Sequence, residues 1–569
     1  MPNSSRTENN KQKETKSGIA LLSVYDKNGI VEFAEGLVKL GWQIYASGGT
    51  ARTIHEHGLA VTDISKLVGG QAILGHRVVT LSREIAAGLL ANPASESDRQ
   101  ELATLNIPLI DLVCVDMYPL EETINNKEAS KSDVIEKTDI GGPTMLRAAA
   151  KGRRIVLSSP EQRQLVLQWL QDNKPNEEQF IDNLVARAEY EVTRYVFTSA
   201  MYHSDHDISG FIAKRITSTK YGENPQQTEA ALYADNRVVA DPLGLDQFTH
   251  VQGIERSFIN MTDIDRLLQT ITHIAAGFEK NFSVVPAIAV GVKHGNACGA
   301  GVATTPLEAV KKMLEGDTRA IFGGIIMVSS NIDKTLAEAL MYHAMEGDKP
   351  RLLDGVVGAS VTEDALELLS RNKLRVVVNP ALATLTQLSL DQKRRLRPVR
   401  GGALEQPNYD FVIDLKADYM AYHGKELREE QRHDLILAWA IGATSNSNTI
   451  TLVKNGQLIG NGVGQQDRIG AAQLALTRTT TALPQLTDRG DKIQMQITLD
   501  RKKLAGACAY SDSFFPFPDG PGLLAQAGIT AILASSGSVA DEAVIKSLSD
   551  KGITLAMVPD KIGRGFYLH

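Results

Sequence analysis

At 569 residues the chain exceeds what a single core ordinarily serves, so two to four domains are expected. Its 43% hydrophobic and 22% charged residues are those of a soluble globular protein, and a net charge of −7 gives no electrostatic reason to expect nucleic acid or an anionic membrane as partner. Three cysteines, Cys114, Cys298 and Cys508, stand far apart without a CxxC, which argues against a disulfide frame or a structural zinc site and fits a reducing cytoplasm.

Residues 1–17, MPNSSRTENNKQKETKS, contain no apolar run and read as a disordered tail, not a signal peptide. No segment approaches the ~20 apolar residues that span a bilayer. From Gly18 onward strands and helices alternate. Ile19 to Val24 reads as a strand, and Ile30, Phe33, Ala34, Leu37 and Val38 then recur at helical spacing as one apolar face. Trp42 to Ala46 is the next strand, followed by Ser47-Gly48-Gly49-Thr50 and a helix toward His57. Further strands fit Leu109 to Val115 and Arg154 to Ser158, and residues 160 to 205 read as largely helical. Successive strand–helix units predict a parallel sheet covered on both faces.

Beyond residue 206 several α/β segments follow. The apolar run Val284 to Val292 predicts a buried strand ending in Lys293-His294-Gly295-Asn296-Ala297-Cys298-Gly299. A cation and an imidazole thus stand side by side where ligands collect in open α/β sheets. Asn455-Gly456, between Thr449–Val453 and Gln457–Gly460, predicts a type I′ hairpin. The chain shows no short internal repeat.

Two N-terminal motifs carry chemistry. Ser47-Gly48-Gly49-Thr50 joins a strand to a helix, where glycines let the backbone approach an anion and the helix N-terminus offers free amides; Lys27 adds a charge at the same edge. The plainer reading is a turn with a Ser or Thr cap. In Asp139-Ile140-Gly141-Gly142-Pro143 through Lys151, the acid could be a cap and the lysine a complement to the helix dipole.

The order SVYDKNG, ASGGT, RVVTL, MYPL and TDIGGPTMLRAAAK resembles the inosine monophosphate (IMP) cyclohydrolase half of the bifunctional purine biosynthesis enzymes. The second half is similar to their aminoimidazole carboxamide ribonucleotide (AICAR) formyltransferase. That similarity rests on KYGENPQQ from Lys220, Lys293-His294, Ile321-Phe322-Gly323-Gly324, Asp354-Gly355, Ser447-Asn448, GQQDR from Gly464 and DSFFPFPD from Asp512. Ser535-Ser536-Gly537-Ser538 and the terminal His569 also agree. The resemblance implies an α/β protein with a methylglyoxal-synthase-like parallel-sheet domain and helical linker over 18–205. A formyltransferase domain of cytidine-deaminase-like subdomains would follow over 206–569.

By the same resemblance, Ser23, Lys27, Ser47, Gly48, Gly49 and Thr50 would hold phosphate and ribose, with Arg77, Thr80 and Gly141 lining the nucleotide site. Tyr118, Asp139 and Lys151 would assist ring closure, which needs proton donors and acceptors beside an alkoxide. In the second half His294 would act as base, Lys293 would stabilise the oxyanion or protonate the departing folate nitrogen, and Asn448 would orient the imidazole or the carboxamide. Lys220, Tyr221, Phe322, Gly323, Asp354 and Arg468 would bind nucleotide. Ile469, Phe514, Phe515, Phe517, Asp519 and Ser538 would bind folate, although paired phenylalanines beside proline also serve as ordinary packing. The co-substrate implied is 10-formyltetrahydrofolate. The ligands implied are AICAR, formyl-AICAR and IMP, on a cytoplasmic homodimer without metal, nucleic acid or membrane.

Seven positions depart from the family's motifs. Val79 stands for the lysine of R-V-K-T-L-H-P, Ser82-Arg83 for its His-Pro, and Asp116 for the asparagine of N-L-Y-P. Lys220 replaces an arginine, Gln226 a histidine, and Gly565 an arginine near the C-terminus, with Arg564 one residue earlier. Losing one preorganised donor typically costs ~10²–10³ in rate, so Val79 bears directly on cyclisation. Two alternatives follow: a formyltransferase with a degenerate first domain, and a non-catalytic nucleotide-binding regulator. The deaminase zinc signature is missing, and Cys298 reads as an inert buried thiol.

Overall fold

The structure, a computed structural model, describes residues 18–75, 77–205, 207–234, 241–317, 320–345, 347–480, 485–488, 493–496 and 499–568. The expected N-terminal tail and the terminal His569 lie outside them. The chain divides between Ile212 and Ala213 into two compact units.

In the first unit β1 (Ile19–Ser23), β2 (Gln43–Ala46), β3 (Thr62–Asp63), β4 (Leu112–Val115) and β5 (Ile155–Leu157) form an all-parallel sheet in the order β3-β2-β1-β4-β5. β4 is buried at every position, as a strand covered on both faces must be. Helix Ile30–Lys39 buries Ile30, Phe33, Ala34 and Leu37, whereas Val38, expected on that face, remains 38% exposed because it falls beyond the edge of the stripe. Burial of each such large side chain is worth about 1.5–3 kcal/mol. The chain winds outward from β1 to β3 and returns to β4 on the other side of β1. That reversal opens a crevice at the carboxyl ends of β1 and β4.

The second unit is built on one twelve-stranded mixed sheet, and it contains a structural repeat. In the first repeat strand Thr249–Gln252 precedes helix Phe258–Phe282, then a hairpin of Ala287–Lys293 and Asn296–Ala303, then helix Pro306–Glu315. Parallel strands Ile325–Val328, Gly355–Gly358 and Arg375–Val378 complete it. The second repeat has the same order: Ala421–His423, helix Glu429–Ala443, the hairpin Ile450–Lys454 and Gln457–Gly462, helix Arg468–Arg478, then Cys508–Ser511, Ala531–Ser536 and Thr554–Pro559. The repeats join where Gly301 pairs antiparallel with Gln457. The long helices pack on one another against the sheet, and Glu429–Ala443 is buried nearly all round, with Trp439 fully enclosed.

Antiparallel joining places the two hairpin turns at opposite edges of the sheet. At the edge of the Lys293–His294 turn also lie the starts of Ile325–Val328, Gly355–Gly358 and Ile450–Lys454. The ends of Gln457–Gly462, Cys508–Ser511 and Ala531–Ser536 reach the same edge.

Candidate active sites

At the crevice of the first unit is a cavity of about 1320 Å³. Its floor is the end of β1, where the Ser23 and Ser47 hydroxyls lie 2.8 Å apart. Ser47 precedes helix Gly48–Glu56 but makes no capping bond with its side chain, so its hydroxyl faces the cavity instead. Gly48 takes φ +36°, a conformation a side chain would strain. Thr50 is buried and exchanges hydrogen bonds with the backbone of Val24 at 3.2 Å, tying the helix start to β1. Lys27 donates to the carbonyls of Val24 and, at 3.2 Å, Tyr25. Burial holds its ammonium below its ordinary pKa. Hydroxyls, helix amides and a partly desolvated lysine make one pole suited to phosphate.

Across the cavity Asp139 accepts from the Gly142 amide at 2.9 Å. Its own amide donates to the Tyr195 hydroxyl at 2.7 Å, and Tyr195 donates onward to the Lys137 carbonyl at 2.9 Å. Both glycines are sterically required: a Cβ on Gly142 would lie 2.5 Å from Asp139 Oδ2, and one on Gly141 2.6 Å from Thr80 Oγ1. Burial raises the Asp139 carboxyl above the ordinary carboxylate range despite those amides. Burial, with the nearby Asp139 charge, also raises the Tyr118 phenol. The Lys137 ammonium stands 5.9 Å from the Tyr118 ring centre and 5.5 Å from that of Tyr25. A carboxyl and a phenol whose pKa values are both raised by burial stand together as proton-transfer groups suited to chemistry at an alkoxide.

The departures from the family's motifs are physically resolved here. Val79 lines the cavity and packs against the core. Asp116 is neutralised by Arg163 at 2.7 Å, a pair buried to 11% and 5% side-chain exposure. Arg77 lines the cavity with its guanidinium on Glu136 at 2.6 Å. Lys151 does not line the cavity: it ends helix Gly141–Lys151, about 15 Å along the axis from the glycines that open it.

In the second unit Lys293 ends the buried strand Ala287–Lys293 that the apolar run predicted. Its strand pairs antiparallel on both sides, and Lys293 faces Asn296 across a two-residue turn with His294 at φ +53° and Gly295 at φ +73°. Both central residues are left-handed, the type I′ geometry, and the imidazole is exposed at the sheet edge. The Lys293 ammonium donates to the Phe322 carbonyl at 2.8 Å. Gly323 takes φ +74°, a left-handed conformation that favours glycine, with the ammonium 3.9 Å from where a Cβ would lie. Phe322 is half exposed, and Asp354 is exposed with its carbonyl held by Arg375 at 3.2 Å. Lys220 and Tyr221 open a compact loop closed by Gly222 and Gln227, with Tyr221 in electrostatic range of Arg375.

A second cavity of about 550 Å³ at the same edge is lined by Asn448, Arg468, Phe514, Arg564 and Phe566 among others, and Lys293 and His294 do not line it. Arg468 is paired with Asp512, whose side chain is fully buried. The structure places the other candidates as follows. Asn448 donates its side-chain amide to the Gln465 carbonyl at 2.8 Å rather than to the imidazole, and Asn446 reaches the Lys293–Asn296 turn, donating its backbone amide to the Asn296 side chain at 3.1 Å. Phe515 is 3% exposed inside the core, so it supports a wall and cannot form one, whereas Phe517 is 65% exposed. Asp519 begins helix Asp519–Ala527 and accepts from Gly520 at 2.7 Å. Ile469 is the second residue of helix Arg468–Arg478, and Ser538 accepts from the Ala540 amide at 3.1 Å.

Gly565 is explained by its neighbour. A Cβ there would lie 2.2 Å from the buried Tyr409 hydroxyl, so Tyr409 excludes any side chain at this position. Arg564 lines the cavity instead, paired with Asp560. Arg163, Tyr195, Lys137, Asn446 and Tyr409 carried no motif signal in the sequence. Among the described residues no group of three or more His, Cys, Asp or Glu could hold a metal ion, and no helix is long and apolar enough to cross a membrane. The Cys298 thiol bonds the Gly291 carbonyl, and burial pushes it up to about 12.

A family model described as AICARFT/IMPCHase bienzyme matches residues 149–478, and one described as MGS-like domain matches residues 29–144. A protein of Anoxybacillus flavithermus (strain DSM 21510 / WK1) named bifunctional purine biosynthesis protein PurH is 35% identical over 553 residues, covering 94% of this chain and 97% of its own. One of the same name from Bacillus cytotoxicus is 34% identical over 546 residues, with the same coverage. A solved structure described as the crystal structure of ForH is 34% identical and covers 34% of this chain and 100% of its own, with a TM-score of 0.30.

Proposed function

This chain belongs to the AICARFT/IMPCHase bienzyme family, and from that premise we propose how its own residues divide the work. The second unit transfers the formyl group of 10-formyltetrahydrofolate to the 5-amine of AICAR. The first closes the ring of formyl-AICAR to IMP, at a rate limited by Val79. The setting is the cytoplasm and the working form a homodimer. The observation that carries the reading is the single sheet edge on which Lys293–His294, Phe322–Gly323, Asp354 and the Asn448–Arg468–Phe514 cavity are gathered.

The AICAR amine is a weak nucleophile because its lone pair is conjugated into the ring and carboxamide. His294 accepts its proton as the amine nitrogen attacks the formyl carbon. The carbonyl electrons move to oxygen, and Lys293, held beside Gly323, stabilises that oxyanion. Collapse breaks the bond between the formyl carbon and the folate nitrogen, which takes up a proton. Phe514 and the exposed Phe517 offer apolar surface for the folate rings. In the first unit Ser23, Lys27, Ser47 and the amides of helix Gly48–Glu56 hold phosphate. Asp139 and Tyr118, whose pKa values burial raises, serve the alkoxide that forms when the carboxamide nitrogen attacks the formyl carbon and water is lost.

The test is His294→Ala in the full chain, assayed for tetrahydrofolate release with AICAR and 10-formyltetrahydrofolate. Formylation falling by ~10²–10⁴ is expected for loss of a general base. Formylation at the wild-type rate would refute the assignment.

A further inference from the structure

Helix Phe258–Phe282 and helix Glu429–Ala443 each carry an aspartate at the sixth position, Asp263 and Asp434. Each reaches the hairpin that follows its helix. Asp434 accepts both turn amides, from Asn455 at 2.9 Å and Gly456 at 2.7 Å. Asp263 accepts the Gly295 amide at 2.8 Å and is buried, with His294, Asp354 and Arg266 as its charged neighbours. We infer that Asp263 is a positioning residue for formyl transfer, latching the turn that carries Lys293 and His294. The inference rests on the reading of His294 as the base.

A two-residue turn projecting from a sheet edge is held by few bonds. Lys293 and Asn296 close the ladder, Asn296 Nδ2 donates to the His294 carbonyl at 3.2 Å, and Asn446 holds Asn296. The Gly295 amide points to helix Phe258–Phe282, where Asp263 accepts its hydrogen bond. Without that acceptor the amide is left unpaired at a half-buried site, and the turn gains other conformations in which the imidazole leaves its place. A base displaced by about 1 Å can lose ~10² in rate while substrate still binds. Asp434 performs the same latching on a turn without an ionisable group at its centre, which makes the second repeat an internal control.

The experiment compares Asp263→Ala, Asp263→Asn and Asp434→Ala in the full chain, measuring kcat, KM for both substrates and Tm. Asp263→Ala is expected to lower kcat about tenfold or more with KM little changed. Asp263→Asn is expected to keep most of kcat, since its amide oxygen still accepts from Gly295. Asp434→Ala is expected to lower Tm as Asp263→Ala does and to leave kcat intact. In a His294→Ala background Asp263→Ala should add no further loss, because the two act as one unit. Should Asp263→Ala not fold, Asp263→Ser, whose hydroxyl is too short for the contact, is measured by the same criteria. Full kcat in Asp263→Ala, equal loss in Asp434→Ala, or losses that multiply with His294→Ala would each overturn the inference. Wild-type activity in His294→Ala overturns the base assignment and the latch together; a dead His294→Ala beside a fully active Asp263→Ala overturns the latch alone.

Discussion

The corresponding hairpin turns of the two repeats have the same left-handed backbone and different chemistry. Lys293-His294-Gly295-Asn296 and Lys454-Asn455-Gly456-Gln457 share left-handed central residues, with φ of +53° and +73° in one and +54° and +71° in the other. In both, the lysine donates to a backbone carbonyl at 2.8 Å, of Phe322 and of Lys502. Asn-Gly is the favoured pair for this turn, so Asn455–Gly456 is what folding alone would select. At 294 the repeat has a histidine instead, on the edge where the site motifs gather. The comparison separates scaffold from chemistry within one chain.

The largest effect should come from making the first turn like the second. His294→Asn is expected to cut formylation by ~10²–10⁴ while Tm stays level or rises slightly, since Asn suits the turn; equal formylation would erase the distinction. Next, the first unit offers the inverse case of chemistry lost from an intact frame. Val79→Lys is expected to raise cyclisation by up to ~10²–10³, read as IMP formed from supplied formyl-AICAR, and no change would mean that another group has the role. Asp139→Asn should lower cyclisation yet raise Tm at neutral pH. Burial raises the Asp139 pKa in the folded state, so its contribution to stability is greatest at low pH and is lost as pH rises through the folded value. Thermal melts across pH should show that decline in the wild type and not in the variant.

A smaller effect concerns packing in the second repeat. Gly565→Ala drives a methyl into Tyr409 and should cost about 1–3 kcal/mol by denaturant unfolding, and Tyr409→Phe should recover part of it. The smallest is the reverse swap. Asn455→His is expected to cost under about 1 kcal/mol and leave formylation unchanged; a loss of activity would show that the second turn is more than scaffold.

Much of this was legible in the sequence. Strands β1, β2, β4 and β5 fall within the apolar runs that predicted them; β4 and β5, buried at every position, read as short near-continuous apolar stretches. The Asn455–Gly456 turn was readable because that pair has one preferred geometry. The equivalent His294–Gly295 turn was not, since histidine gives no hairpin signal and an apolar run does not reveal which strand it pairs with. The structural repeat was hidden because its halves keep topology and the aspartate latch without visible sequence periodicity. Among site residues, motifs located the edges but not the partners. Arg163 beneath Asp116, Tyr195 behind Asp139 and Tyr409 under Gly565 act across long sequence separations that no local pattern records.

A formyl-transfer site built around His294 is paired in this chain with a cyclisation site weakened at Val79. One product-resolved assay tests both: AICAR and 10-formyltetrahydrofolate are supplied to the full-length protein, and tetrahydrofolate, formyl-AICAR and IMP are quantified over time, corrected for uncatalysed cyclisation. The expected result is tetrahydrofolate released ahead of IMP, with formyl-AICAR accumulating between them. IMP keeping pace with tetrahydrofolate would contradict the limiting role of Val79, and no tetrahydrofolate at all would contradict the formyltransferase itself.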